Sequence, residues 1–323
     1  MQGSDFSKRL GDLKPKNKEP RSRSVLETWI ARAEQEIDPA RSGRLAWLIS
    51  TTVCAAKLQS VLDAQGGSRF ALKGGTLMQH RLGLAARATK DLDGMIRGDI
   101  DDFMEAFDSS LGEDWGPVSF QRSEVEVIRT PVKVVKPRRF NLFLIIRGQT
   151  WRKVQVEIAP SEGHADESFD LLPAPRLDAF GIPTPDHLVG LTLSYQIAQK
   201  VHGATDPHDP PVFVNRRARD VVDLLLLKGL VESAGDPGGN EIKAAIVDVF
   251  ESRAEEAKLL GRPVRTLPAK ITAYPHWGVD YAEAANGASV KIPMEEAINE
   301  VNGWLLKLGV GEGVGCIHYG QLY

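Results

Sequence analysis

The sequence predicts a mixed α/β chain of the α+β kind, on three observations. Residues 70–96, "FALKGGTLMQHRLGLAARATKDLDGMI", read as strand, Gly-Gly turn, helix and strand in one short unit. Residues 118–158 are β-rich, with partial alternation and turn residues between runs. Apolar segments of helical period lie on both sides of that block. The 323 residues, 42% of them hydrophobic, suffice for a sizeable core in one large domain or two ordinary ones. The formal net charge of -3 excludes a globally basic nucleic-acid binder, so any such site must be a local patch. Cys54 and Cys316 are far apart and show no metal-like spacing, which points to a reducing compartment. The charged N-terminus has no apolar core segment, and no apolar run approaches the ~20 residues of a membrane span. A soluble, cytoplasmic protein is expected.

Taken in order, residues 1–24 set Lys8, Arg9, Lys14, Lys16, Lys18, Arg21 and Arg23 against Asp5, Asp12 and Glu19, with few apolar residues. They read as a flexible basic arm, either a solvated tail or a contact for nucleic acid. Leu26, Trp29, Ile30, Ala33 and Ile37 recur at helical spacing, and "RLAWLISTTVCAAKLQSVL" is a second, strongly apolar helix. "RFALK" has the length and composition of a buried strand, and a helix from about Thr76 to Ala86 follows it. The runs "EVEVIRT", "PVKVVKP", "RRFNLFLIIRGQ" and "RKVQVEIAP" predict an antiparallel extension of a mixed sheet. A proline-rich connector leads to "TPDHLVGLTLSYQIAQKVHGA", read as a helix capped by Asp186. The loop "TDPHDPPVFVN" precedes the helix "RRARDVVDLLLLKGLVES", and the remainder is mostly helical.

Two features of residues 70–96 carry chemistry. Glycine allows a close approach to the main chain, and a helix N-terminus offers free N–H groups and a positive dipole end. Strand, Gly-Gly, hydroxyl residue and helix can thus form a phosphate cradle, although an ordinary tight turn has the same pattern. It is not a P-loop, because G-x-x-x-x-G-K-[ST] is absent. On a strand, Asp91 and Asp93 would point the same way while Leu92 faces the core. Such a pair repels itself unless a cation neutralises it, and Mg²⁺ takes one or two carboxylates together with phosphate oxygens and water. A solvated Asp-x-Asp edge is the plainer alternative. Cradle and carboxylates on one unit are what phosphoryl or nucleotidyl transfer needs.

These residues resemble the signature of the AbiEii/AbiGii-type nucleotidyltransferases, toxin components of bacterial toxin–antitoxin and phage-defence systems, to which MenT toxins are related. Lys73, Gly74, Gly75, Thr76, Arg87, Thr89, Asp91 and Asp93 occupy the places of the family's Lys-Gly-Gly-Thr, Arg-x-Thr and Asp-x-Asp elements. The resemblance is strong over residues 70–96 and looser to about residue 230. It implies a DNA-polymerase-β-like nucleotidyltransferase core with a mixed sheet, N-terminal helices and a C-terminal helical region. Residues 25–165 would form the nucleotidyltransferase domain, and residues 166–323 a mostly helical domain completing the active site. It also implies Asp91 and Asp93 as metal ligands for Mg²⁺ or Mn²⁺. Lys73, Gly74, Gly75, Thr76, Arg87 and Thr89 would bind the NTP. An RNA acceptor, notably the 3′ end of tRNA, and an AbiEi-type antitoxin partner are implied as well.

The supporting residues remain double-valued. Glu157 in "VQVEIAP" is the best third carboxylate, as metal ligand or proton acceptor, or else an exposed strand residue. Lys200 falls close to Leu193 and Ile197 at 100° per residue and resembles the family's helix lysine. It either stabilises triphosphate charge or covers apolar surface. Asp220 and Asp223 match an Arg/Lys-Asp-x-x-Asp helix, with Asp220 the catalytic candidate. The plain alternative is two i, i+4 pairs, Arg216–Asp220 and Arg219–Asp223. His202, Asp206, His208 and Asp209 match no zinc spacing and read as a polar loop. Between residues 129 and 153 every charge is positive: Arg129, Lys133, Lys136, Arg138, Arg139, Arg147, Arg152 and Lys153. That run is either an RNA surface, which Arg216, Arg217 and Arg219 would extend, or the charged outer face of a sheet. The same chemistry on a small-molecule or protein hydroxyl, and a non-catalytic RNA-binding scaffold, are the competing functions.

Overall fold

The computed structural model describes residues 10–37, 43–83 and 86–312. Cys316 and the first nine residues of the expected arm lie outside these. Helix α1 (Arg23–Ile37) buries Leu26, Ile30, Ala33 and Ile37, the stripe read from the sequence. Helix α2 (Arg44–Gln59) is buried nearly all round. Strand β1 (Phe70–Lys73) runs directly into helix α3 (Gly74–Leu82), and β2 (Asp91–Ile96) follows. Then come α4 (Ile100–Ser110), β3 (Val118–Arg122), β4 (Glu126–Val127), β5 (Arg138–Ile146), β6 (Gln149–Pro160), β7 (Phe169–Leu172) and β8 (Leu188–Leu191). Helices α5 (Leu193–Ala204), α6 (Ala218–Ala234), α7 (Gly239–Leu259), α8 (Trp277–Gly287) and α9 (Met294–Lys307) complete the chain.

The eight strands form one mixed sheet in the order β3-β5-β6-β2-β1-β8-β7, with β4 paired to β5. Strands β2–β6 and β1–β8 are parallel, and the other pairs are antiparallel. Helices α1, α2 and α4 pack on the sheet. Phe70 of β1, Phe103 and Phe107 of α4 and Phe140 of β5 form a continuous row, with ring centroids 6.4, 6.1 and 5.8 Å apart. Gly94 lies under this row, where a Cβ would collide with the Phe70 ring. A second hydrophobic cluster joins α5–α9 and takes in Met78 of α3.

Several elements differ from the sequence expectation. "LVGL", expected inside a helix begun by Asp186, is strand β8. A four-residue apolar run does not distinguish strand from helix, and here Gly190 lies against Leu77 and Leu172 so closely that a Cβ would crowd both. The helix cap is Thr192, whose side chain accepts from the Tyr195 N–H. "PVKVVKP" is a loop and not a strand. Its Val134 N–H donates to Glu256 of α7 (2.7 Å), and Lys136 donates to the Thr130 carbonyl (2.9 Å). Helix α4 was not foreseen, although the Asp99 cap and the spacing of Phe103, Met104 and Phe107 carry its signal. Within residues 10–20, expected in the flexible arm, most side chains are exposed, but Leu10 and Pro20 are buried. The Lys16 N–H donates to the Asp178 carbonyl (2.9 Å). The sheet also continues through β7 and β8, beyond residue 165, and the two hydrophobic clusters divide between Leu191 and Leu193.

Candidate active site

One row of side chains crosses five strands. The register sets Lys73 opposite Asp93, Asp93 beside Glu157, Glu157 opposite Arg139 and Arg139 opposite Glu126. Residues in register on neighbouring strands share a face. Asp91 lies on the same face two residues before Asp93, while Leu92 is fully buried on the other. Helix α3 opens directly over this row. Gly74 has φ +63° and no room for a side chain, because a Cβ would collide with the Asp93 carboxylate. At Gly75 a Cβ would come within 2.9 Å of the Thr89 hydroxyl. The Gly-Gly pair is therefore what lets the helix N-terminus press onto the strand carrying the carboxylates.

Burial, followed by the neighbouring charge of Asp91, raises the Asp93 pKa to about 6, with Lys73 opposing the shift. Asp91 Oδ1 accepts from the Thr89 hydroxyl (2.9 Å). Thr76, expected to offer its hydroxyl to phosphate, is buried and donates it to the Asp91 carbonyl (2.7 Å). That bond fixes the first turn of α3 to β2. Glu157 accepts from Arg139 at 2.8 Å (Nε) and 2.7 Å (NH2).

Lys200 is buried between the two aspartates of α6, 3.1 Å from Asp220 Oδ1 and 2.6 Å from Asp223 Oδ2. Arg87 grips Asp223 with two bonds of 3.0 Å, and Asp223 is fully buried. Burial works against the Lys200 ammonium, but Asp223 and Asp220 outweigh it and hold its pKa above the ordinary lysine value. Burial likewise opposes the Asp220 carboxylate, and Lys200 reverses this, keeping its pKa low. The lysine is held by these two carboxylates and does not lie over apolar surface. The i, i+4 pairs considered from sequence do not form. Helix α6 begins only at Ala218, Arg217 lies 3.7 Å from Asp220, and Arg219 lies 3.8 Å from Asp280.

A family model described as nucleotidyl transferase AbiEii toxin, Type IV TA system, matches residues 57–298. The chain belongs to the AbiEii family. This AbiEii protein is a nucleotidyltransferase of the toxin–antitoxin class. Its structure is similar to that of MenT4, a nucleotidyltransferase toxin from Mycobacterium tuberculosis H37Rv. The two share 17% identity over 89% of this chain and 99% of that one, with a TM-score of 0.43. It is also similar to JHP933 from Helicobacter pylori (12% identity, 83% and 92% covered, TM-score 0.43). A third likeness is to an antigenic nucleotidyltransferase-like protein from Paracoccidioides brasiliensis (15%, 68% and 94%, TM-score 0.35). No curated protein matches the sequence.

Nucleotidyltransferases generally use an NTP with a divalent metal. Among the described residues, no group of three or more His, Cys, Asp or Glu side chains is arranged to hold a metal by itself. Asp91 and Asp93 nevertheless fit a cation that completes its shell with phosphate oxygens and water. They adjoin on one face, and neither forms an ion pair among the described residues. The Asp93 pKa is raised first by burial and then by the Asp91 charge, and a divalent ion would offset both.

The basic segment is less open than its sequence suggests. Lys133 is bound by Glu162 (2.5 Å) and Glu256 (2.9 Å), Arg138 by Asp101 (3.0 Å) and Arg152 by Glu27. Alternation along β5 and β6 places Arg139 and Lys153 on the face of Asp91 and Asp93, and Arg138 and Arg152 on the opposite one. Arg129 and Lys136 lie in the stretch between β4 and β5, off the sheet face. His202 lies in the last turn of α5 and not in a loop, buried and bonded by Arg253 (2.8 Å) and Arg265 (3.0 Å). Sequence reasoning missed Glu162, which follows β6 without a motif around it. It is bonded by Lys133 and by Arg253 (2.9 Å), and it contributes to the field at Lys73. No AbiEii helix among the described residues is long and apolar enough to cross a membrane.

Proposed function

We propose that this AbiEii enzyme transfers a nucleoside monophosphate from an NTP to the 3′ hydroxyl of an RNA, releasing pyrophosphate, with tRNA the target that the family resemblance indicates, and thereby arrests growth. The observation that carries the reading is the contact of Gly74 with Asp93, which brings the N–H groups of α3 and the carboxylate pair to one point. The triphosphate would lie against the Gly74 and Gly75 backbone, where N–H groups and the helix dipole favour anions. Asp91 and Asp93 would hold Mg²⁺, which supplies charge neutralisation and alignment of the attacking and leaving oxygens. Glu157, one register step from Asp93 and oriented by Arg139, is the candidate for accepting the proton of the acceptor hydroxyl. Lys200 fixes Asp220 and Asp223 and adds one buried positive charge beside the row. Internal pairing of Lys133, Arg138 and Arg152 favours a second reading, in which the acceptor is a small-molecule or protein hydroxyl. The test is incubation of the full chain with each α-labelled NTP, Mg²⁺ and total RNA. Label on a small RNA, at its 3′ end and dependent on Asp91, is expected. Label confined to protein or to a small molecule would select the second reading.

A further inference from the structure

Three aromatic rings gather beside the first turn of α6. His208 stacks on His276 with centroids 4.5 Å apart and an interplanar angle of 25°. Tyr274 lies 4.6 Å from His208 and 5.9 Å from His276. His276 is exposed, and the other two rings are half-buried. A short chain of contacts links this group to the catalytic cluster. The Asn215 carbonyl accepts from His276 Nε2 (2.6 Å), and Asn215 Oδ1 accepts from the Arg217 N–H (2.9 Å). The Arg217 guanidinium lies 3.7 Å from Asp220, which Lys200 bonds. Arg216, Arg217 and Arg219 are all exposed here, the last two by 58% and 51% of their side chains. Arg219 meets Asp280 only at 3.8 Å in a solvated pair, and Arg217 meets the buried Asp220 only at 3.7 Å, so both guanidinium groups keep donors free for a phosphate. The cations of β5 and β6 offer no such opening, since most are closely bound.

We propose that this face receives the unpaired end of the RNA acceptor, with bases stacking on His276, His208 and Tyr274 and phosphates meeting Arg216, Arg217 and Arg219. The inference rests on the RNA reading given above and adds to it the place where the RNA is held. Aromatic faces beside a cationic track bind single strands with little regard to sequence, because every base has a π-face. The position beside Asp220 brings the terminal hydroxyl to the side where Lys200 bonds Asp220. Arg138 and Arg152 lie behind the sheet, paired with Asp101 and Glu27.

The experiment uses the full chain and a short single-stranded RNA oligonucleotide, with binding and transfer measured side by side. His276→Ala should weaken oligonucleotide binding by roughly tenfold or more, the loss expected of one stacked base. His276→Phe, which keeps a ring and removes the bond to Asn215, should restore it. Arg216→Glu with Arg219→Glu should lower the slope of log K against log salt by about 1.4, from about 0.7 per phosphate contact. NTP–Mg²⁺ binding should be unchanged in all of them. Wild-type RNA binding and transfer in both the alanine and the double-glutamate variants would overturn the proposal. So would failure of phenylalanine to rescue when its melting temperature equals that of wild type, since binding would then depend on the imidazole bond to Asn215 and not on a stacking ring. If the wild-type chain labels no RNA, the functional reading fails and this inference fails with it. If RNA is labelled normally by every variant, only the inference fails.

Discussion

Asp93 combines burial with a carboxylate neighbour, and its behaviour with pH follows. Its pKa is about 6 in the fold, against 3.8 for an ordinary aspartate. The folded chain therefore holds this proton more tightly than the unfolded chain does. The contribution to stability is fully present below about pH 4 and is lost as the pH rises through about 6. Without metal, Asp93→Asn should remove that loss and raise stability at pH 8 by up to about 3 kcal/mol, read from denaturant unfolding at several pH values. Mg²⁺–NTP affinity should move the other way in the wild-type chain, rising through about pH 6 as the carboxylate ionises. A pH-independent difference between Asn and wild type would contradict the coupling. Thr76 illustrates a different point at this scale. Its place in the motif is legible in the sequence, but the direction of its hydroxyl is not, because that depends on where the Asp91 carbonyl comes to rest in the folded sheet.

At the scale of elements, the β1–α3–β2 unit acts as one part. Gly74 is the point of closest approach, and its φ of +63° disfavours any residue with a Cβ. Gly74→Ala should displace the helix from Asp93 and lower NTP–Mg²⁺ affinity by at least tenfold while the aromatic row of the core stays intact. Isothermal titration beside near-ultraviolet circular dichroism would check this, and unchanged affinity would remove the cradle from the site. This unit was legible because local chemistry dictates it: an apolar run, two glycines and an alternating Asp-Leu-Asp. Strand β8 was not, since "LVGL" becomes a strand only through its place beside β1 and Leu77. Nor was the loop at 131–137, whose valines suggest a strand while its bonds go to Glu256, far along the chain. The i, i+4 pairs offered for Asp220 and Asp223 failed for the same reason. Helical spacing offered Arg216 and Arg219, and the fold supplied Lys200 from α5 and Arg87 from the residues before β2.

At the scale of the molecule, Arg87 ties the sheet's catalytic unit to the helical cluster through Asp223. Arg87→Ala would leave that buried carboxylate with Lys200 alone, and about 3 kcal/mol of stability should be lost. Amide exchange should quicken at the start of α6, and an unchanged exchange pattern there would show that the tether is dispensable. A second connection has a further consequence. Strand β8 passes into α5 through the single residue Thr192. Arg81 of α3 fastens this junction, donating to Asp170 (2.7 Å), to the Leu191 carbonyl (2.6 Å) and to Gln196 (2.9 Å). Asp170 also accepts the Leu193 N–H (3.0 Å). A joint held at so many points resists bending, so the sheet and the helical cluster meet as jaws already set. On the function proposed above, the work of reaching the reactive row then falls to the acceptor, and a substrate whose terminal hydroxyl swings freely on a slack tail should react in preference to one whose hydroxyl sits on a rigid surface.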